Sequence, residues 1–336
     1  MKVKVFMASA GHNSEREVLR DMHDGIASVL VPEDKKEQKV IKSMNKAIGR
    51  GFGVEYEYAE KYINCDLAVF LGSWKPSRSN IHHVTRTSIV ENAKSFICIE
   101  TPLLTRKVFK PNEYYRVGVN GFLHGDAYFG PEENFTGKRF QDMGLTYSGW
   151  KSKTGDKIII ALQLAGDASL RNNDINQWCL DTIKRLRKFT DRAIEIRTHP
   201  GVSEKGWSNH EELFRQLAFM GLNNVKCVNG REVPWQDHLN DAYCVISYTS
   251  GLSIDAIIQG IPVIACDEGN FAWSLMNNRV NDIEKLKLPN ETDVQQWLYN
   301  LAYCQWTPEE MRSGECFRHL QSSVEQVLQD HEENSN

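Results

Sequence analysis

The 336-residue chain has no CxxC pair among its eight cysteines, no apolar run near the length of a bilayer, and no surplus of basic charge. Each absence excludes a class. Cys65, Cys98, Cys179, Cys227, Cys244, Cys266, Cys304 and Cys316 are scattered, and several lie in apolar runs such as Phe96-Ile97-Cys98-Ile99. They read as reduced core residues, which argues against a disulfide framework or a zinc site. His82-His83 has no cysteine or carboxylate at ligand spacing, so no metal is expected. The longest apolar stretches run about five to eight residues, far below the roughly 20 that span a bilayer. Val3-Lys4-Val5-Phe6-Met7 is too short for a signal-peptide core, so a cytoplasmic protein without membrane segments is predicted. P-loop, zinc-finger and Ser-His-Asp signatures are missing, as is any repeat of 20 to 50 residues. Gly49-Arg50-Gly51-Phe52-Gly53 follows a helical pattern instead of a strand, so it is no dinucleotide fingerprint. Lys+Arg 40 against Asp+Glu 44 gives a net charge of −4, which excludes uniform coating of DNA.

What is present is alternation. Short β-rich runs and helical patterns follow each other from end to end, the signature of parallel sheets covered by helices. A strand over 3 to 8 precedes a helix opened by Ser14-x-x-Glu17 and running to about Gly25. A second helix is predicted near 34 to 49, with Lys35, Lys39, Lys42 and Lys46 on one face. Strands are expected at 67 to 71, 95 to 99 and 116 to 119. After a Gly-, Pro- and Asn-rich stretch over 130 to 155, strands recur at 157 to 162, 193 to 197, 225 to 228, 243 to 247 and 261 to 265, with helices between them. Two helices, 293 to 303 and 308 to 329, close the chain. The predicted class is α/β, with two Rossmann-like domains and a cleft between them. The expected boundaries are 1–150 and 151–310 for the two domains, with 311–336 a C-terminal helix and acidic tail. In such sheets ligands bind beyond the carboxyl ends of the strands.

The densest signal runs from Asp241 to Ala265. A buried strand ends in Ser247, Thr249, Ser250 and Gly251, so hydroxyls and backbone N–H groups meet at a helix start where phosphate can bind. Asp255 follows one turn later, placed to accept from ribose hydroxyls. The competing interpretation is an ordinary N-cap. The order strand, Thr-Ser-Gly, helix with an acidic residue, then Gly260-Ile-Pro-Val-Ile-Ala265 resembles the donor-binding signature of two-domain GT-B nucleotide-sugar glycosyltransferases, of the capsule-polysaccharide and glycerophosphotransferase type. Ile194-Glu-Ile-Arg197-Thr-His199-Pro200 resembles the strand and His-Pro that in those enzymes set an imidazole against donor phosphate. The resemblance covers about residues 157 to 275 and departs at Asp255, where many such enzymes carry Glu.

It implies a glycosyltransferase using a UDP- or CMP-type sugar, with no further cofactor. His199, Thr249, Ser250, Gly251 and Asp255 would hold the donor, with Arg197 facing either way. Gly166 and Ser169 would face the pyrophosphate from a second loop, where Arg171 is a possible cation, and Asn270 would lie on the loop after the donor helix. An inverting transfer needs a base in the first domain, for which Glu100, Asp126 and His12 are candidates.

For the acceptor the charge is split unevenly. Residues 1 to 150 carry 21 Lys/Arg and 18 Asp/Glu (+3), leaving 19 and 26 (−7) for the remainder. Residues 35 to 50 are locally +5, and so is Gly72 to Arg116, which includes Lys75, Arg78, Arg86 and Arg106 interleaved with Trp74, Tyr114 and Tyr115. That pattern suits a polyanion. A DNA-modifying bacteriophage enzyme is therefore expected, DNA-binding and glycosylating 5-hydroxymethylcytosine in double-stranded DNA in the host cytoplasm, on a flipped base. The alternatives are transfer to a glycan or lipid-linked sugar, a sugar-nucleotide epimerase, or a non-catalytic nucleotide or nucleic-acid binding module.

Overall fold

The computed structural model describes residues 1–6, 13–30, 50–51, 54–57, 62–75, 81–107, 112–152, 155–201, 210–222 and 224–334. His12, Arg78 and the helix predicted over 34 to 49, with its lysine stripe, lie outside the described residues. The chain forms two compact units. One comprises Met1–Phe122, Asp126–Phe135 and Asn300–Asn336, the other Leu123–Gly125 and Thr136–Tyr299. Each is α/β with a parallel-rich sheet, the class the alternation predicts.

In the first unit, β1 (Val3–Phe6), α1 (Asn13–Leu30), β2 (Arg50–Gly51), β3 (Val54–Glu57), β4 (Leu67–Leu71), α2 (Ile81–Asn92), β5 (Ser95–Glu100) and β6 (Tyr115–Val119) follow in sequence. The second unit continues with α3 (Lys138–Asp142), β7 (Lys157–Ala161), α4 (Ile175–Leu186), β8 (Ile194–Arg197), α5 (Glu211–Phe219), β9 (Val225–Val228), α6 (Trp235–Leu239), β10 (Ala242–Ser247), α7 (Leu252–Ile258), β11 (Val263–Ala265) and α8 (Glu291–Ala302). The chain ends with β12 (Gln305–Trp306), α9 (Pro308–Arg312) and α10 (Glu315–Glu333).

Among the described residues the first sheet has the order β12-β6-β5-β4-β1-β3-β2. β3, β1, β4 and β5 run parallel, while β2, β6 and β12 pair antiparallel at the margins. Alternate side chains Val3, Val5, Leu67, Val69, Ile97 and Ile99 form one core with Leu19, Met22 and Ile26 of α1 and Phe317, Leu320 and Val324 of α10. The last 37 residues therefore complete the first unit instead of forming an appendage. Phe317 and Leu320 are fully buried, and each such side chain contributes about 1.5–3 kcal/mol.

The expected helix over 308 to 329 is broken into α9 and α10 by Gly314 in the left-handed region (φ 82°). Gly25 lies inside α1, which continues to Leu30, so it does not end the helix. Its hydrogen faces the Met311 carbonyl, and a Cβ there would overlap that oxygen. An exposed Gly→Ala change in a helix gains up to about 1 kcal/mol. At this position the collision dominates. Gly25→Ala is expected to lower the urea midpoint, costing about 1–3 kcal/mol by overpacking; a gain in stability would show that α1 and α9 do not meet there.

Candidate functional site

The second sheet is parallel throughout, in the order β11-β10-β7-β8-β9. From β7 the chain moves outward to β8 and β9, then returns to the other side of β7 with β10 and β11. The order reverses between β7 and β10, and in open α/β sheets ligands bind beyond the carboxyl ends of the strands at such a switch point. Register makes these ends level: Ser247 pairs with Ala161 and Ala265, and Ala161 with Arg197. The loops carrying Gly166 and Ser169, His199, Thr249 to Gly251, and Asn270 thus leave one edge together. β8 and β10, which precede His199 and Ser250, flank β7 and stand about 10 Å apart.

Two buried side-chain amides lock the loops. Gln163 donates from Nε2 to Ser169 Oγ (2.8 Å) and Thr249 Oγ1 (2.9 Å), and its Oε1 accepts from the Thr249 amide (2.9 Å). Asn270, fully buried, donates to Ser247 Oγ (2.8 Å) and the Tyr248 carbonyl (2.9 Å). Its Oδ1 accepts from Ser253 Oγ and the Ala272 amide (both 3.0 Å). Asn270 therefore uses both donors and accepts twice, as a buried amide must if its burial is not to be costly. Asp167 accepts from the Ser169 amide (2.9 Å) and hydroxyl (2.6 Å). Burial pushes the Tyr248 phenol up to about 12, and its hydrogen bond to Asp267 adds to that.

Four of the residues expected at the donor have protein partners. Thr249, Ser169 and Asn270 are engaged with other protein groups and position the loops. Arg197 turns into the unit: it donates to Gly230 O (3.1 Å), Val233 O (2.8 Å) and His238 Nδ1 (3.2 Å). His238 in turn donates from Nε2 to Glu195 (2.5 Å). Gly166, His199, Ser250, Gly251 and Asp255 remain at least partly exposed. Ser250 Oγ accepts the Leu252 amide (3.3 Å), so its own O–H proton is available to a ligand oxygen. α7 has only seven residues, so the amides and hydroxyl of this turn matter more than a helix dipole. His199 Nδ1 accepts the Gly201 amide (3.0 Å), which puts the proton of the neutral ring on Nε2.

In the first unit, Glu100 ends β5 with its carboxylate accepting from the Ser73 (2.7 Å) and Thr101 (2.8 Å) amides, a tie between two strand-end loops. Asp126 is exposed. Lys75 is partly exposed and Arg106 exposed. Arg86 folds back to donate to Ser73 O (3.2 Å), its guanidinium lying where a Cβ of Gly72 would sit. Lys94 pairs with Asp66 (2.8 Å) and Lys107 with Glu113, and Arg116 is buried. Trp74 packs edge-on against Phe96 (5.3 Å) and Phe122 (5.1 Å), and Tyr115 lies against the sheet's core.

Sequence reasoning missed Gln163 and His124 as parts of this edge. The signal for Gln163 was a polar residue directly after the apolar run Ile158-Ile-Ile-Ala161-Leu162. His124 left no signal, because it reaches Glu268 across 144 positions, its Nδ1 2.8 Å from the Glu268 carbonyl. Among the described residues no group of three or more His, Cys, Asp or Glu could hold a metal ion. No described helix is long and apolar enough to cross a membrane.

No family model matches the chain, and no curated protein matches it. Among the solved structures similar to the chain, two match over nearly its full length. One is the Thermosulfurimonas dismutans KpsC beta Kdo 2,4 transferase, at 13% identity and TM-score 0.48, covering 98% of each chain. The other is the beta Kdo 2,7 transferase of the same organism's KpsC, at 10% identity and TM-score 0.47, covering 96% of this chain and 100% of that one. Likeness at this level says nothing about the chemistry of this chain.

The Arg197–His238–Glu195 chain makes stability depend on pH. Burial, with the charge of Arg197, holds His238 below its ordinary value despite the bond to Glu195, and burial does the same to His210. Burial raises Glu195, but hydrogen bonds from Lys226 and His238 and the charge of Lys157 outweigh it and bring the carboxyl below its usual range. The unfolded chain takes up protons on these histidines near pH 6.5 while the folded unit resists. Stability is therefore expected to be full above about pH 7, to decline as pH falls through about 6.5, and to decline again below about 4.3 as Glu195 protonates. Urea midpoints between pH 8 and 4 check this, and a midpoint that rises on acidification through 6.5 would contradict it.

Proposed function

We propose that the second unit binds a nucleotide-sugar donor and that the protein is a glycosyltransferase delivering the sugar to a hydroxyl acceptor. The observation that carries this reading is that the loops bearing Gly166, His199, and Ser250 with Gly251 leave the carboxyl edge of one parallel sheet, the first and last of them joined by Gln163. The Ser250 hydroxyl, the turn's amides and the imidazole Nε2–H are donors for phosphate oxygens. Such donors stabilise the negative charge that grows on a leaving nucleotide as the glycosidic bond breaks. Asp255 is assigned to the ribose hydroxyls.

For the acceptor, the described cations favour a small or glycan hydroxyl over a DNA track. Lys94 and Lys107 are paired, Arg86 is folded onto the Gly72 turn and Arg116 is buried, so four of the residues behind the expected polyanion surface serve internal contacts. Trp74, a candidate base-stacking ring, is partly buried and packs edge-on against Phe96 and Phe122. For the general base, Asp126, which is exposed, and Glu100, whose carboxylate accepts the Ser73 and Thr101 amides, are the described candidates.

A thermal-shift panel of UDP-, CMP- and GDP-sugars tests the donor site. One nucleotide class is expected to raise Tm by several degrees, since a ligand at a hundred times its Kd adds about 2.7 kcal/mol. His199→Ala with Ser250→Ala should remove that shift while leaving the unliganded Tm within a few degrees. Unchanged donor binding by the double variant would sink the proposed site, and no shift with any nucleotide sugar would sink the transferase reading. Transfer by the full chain to 5-hydroxymethylcytosine DNA, in preference to glycan acceptors, would overturn the acceptor assignment.

A further inference from the structure

The strand end that carries His199 is bound to the turn after β9 through one buried cation. Gly230 of that turn is held from two sides: its amide donates to Thr198 Oγ1 (3.1 Å), and its carbonyl accepts from Arg197 Nη2 (3.1 Å). A Cβ on Gly230 would overlap the Thr198 carbonyl oxygen and come within 3.4 Å of the Pro200 nitrogen, so glycine lets the turn lie close against the Thr198-His199-Pro200 backbone. Arg197 Nη2 also donates to the Val233 carbonyl (2.8 Å), and the Thr198 amide donates to the Val228 carbonyl (3.0 Å). Strand end and turn are thereby one piece of structure with a guanidinium at its centre.

Arg197 is 5% exposed, and its bonds go to those two carbonyls and to His238 Nδ1 (3.2 Å). An arginine offers only donors, so the His238 nitrogen that it meets carries a lone pair. The ring proton is then on Nε2, which donates to Glu195 (2.5 Å). The tautomer is fixed from both sides, and a neutral imidazole joins a buried cation to a buried carboxylate. Glu195 also pairs with Lys226 (2.9 Å) and Lys157 (3.5 Å). Among the described residues, the charged groups that face His238 are thus Glu195 and Arg197 of β8 directly, and Lys157 of β7 and Lys226 of β9 through Glu195, while Asp237, its neighbour on α6, is exposed.

We propose that His238 is a positioning residue for the donor: by accepting from Arg197 it keeps the guanidinium on the Gly230 and Val233 carbonyls, and so holds the His199 strand end where the donor's phosphates need it. This rests on the donor-site reading above. His238 itself touches no ligand. A proton on Nδ1 removes the acceptor and sets an imidazolium against the guanidinium, which draws Arg197 off the two carbonyls and releases the turn. Burial, with the charge of Arg197, holds His238 below its ordinary value despite the bond to Glu195, so the clasp is intact at neutral pH. Donor affinity is therefore lost as pH falls from about 6.5 through the folded-state value.

Titration calorimetry on the full chain tests this, with UDP-glucose, GDP-mannose and CMP-N-acetylneuraminate as probes, because the phosphates of these esters do not titrate near neutral pH. His238→Gln keeps an acceptor for Arg197 and a donor for Glu195 but takes up no proton. It should bind within about threefold of wild type near pH 7.5, and about tenfold more tightly than wild type near pH 5. Comparing the two proteins at each pH cancels any effect of His199, which both retain. His238→Leu, which leaves Arg197 without that acceptor, should weaken binding near pH 7.5 about tenfold. A purely structural role would lower the Tm of His238→Leu and leave its donor affinity at the wild-type value, and that result overturns the proposal. So do parallel pH profiles for wild type and His238→Gln, a comparison that stands even where His238→Leu fails to fold. Failure of wild type to bind any probe near pH 7.5 overturns the donor-site reading itself.

Discussion

Two buried amides, Gln163 and Asn270, set the geometry of the second unit's carboxyl edge. A side-chain amide below the surface must find partners for two donors and its carbonyl, and each unmet group costs about 1–3 kcal/mol. Gln163 meets that demand by joining the loop after β7 to the turn after β10, and Asn270 by joining the same turn to the loop after β11. The satisfaction of one side chain therefore fixes two loops at once. The more exposed groups Ser250, Gly251 and Gly166 stand on the loops these amides join. This gives preorganised donors, the arrangement that stabilises developing charge without reorganisation.

The first unit is built on a different constraint. Its core is completed by residues more than 200 positions downstream, with Phe317, Leu320 and Val324 packed on α1 and the sheet. Buried Gln305 accepts from both the Leu103 and Leu104 amides at 2.9 Å, fixing the loop after β5 from the far end of the chain. Several basic side chains of this unit neutralise or bridge its own parts. A local charge count therefore overstates the cation density offered to a partner.

The strand pattern was legible because period and turn chemistry are local. The strands at 67 to 71 and 225 to 228 have the expected bounds, the other predicted strands differ by a residue or two, and β2, β3 and β12 were not anticipated. The Thr249-Ser250-Gly251 turn and the His199-Pro200 strand end were legible for the same reason: hydroxyls and glycine after an apolar strand carry chemistry at short range. What could not be read is which of two neighbouring polar residues faces out. Ser250 and Thr249 are equivalent as letters, yet Gln163, 86 positions away, engages only Thr249. Arg197 and Asn270 likewise have partners distant in sequence: Arg197 bonds Gly230, Val233 and His238, and Asn270 bonds Ser247 and Tyr248. The grouping of 300–336 with the first unit was hidden for a related reason, since an amphipathic helix does not say whose core it covers.

Hydrogen–deuterium exchange of the full chain, with and without a saturating nucleoside diphosphate, tests the central claim most directly. Added protection is expected in the three locked loops of the second unit, around residues 163–171, 248–253 and 267–271. Protection confined to the first unit, or a nucleotide that binds without slowing exchange in those loops, would contradict it.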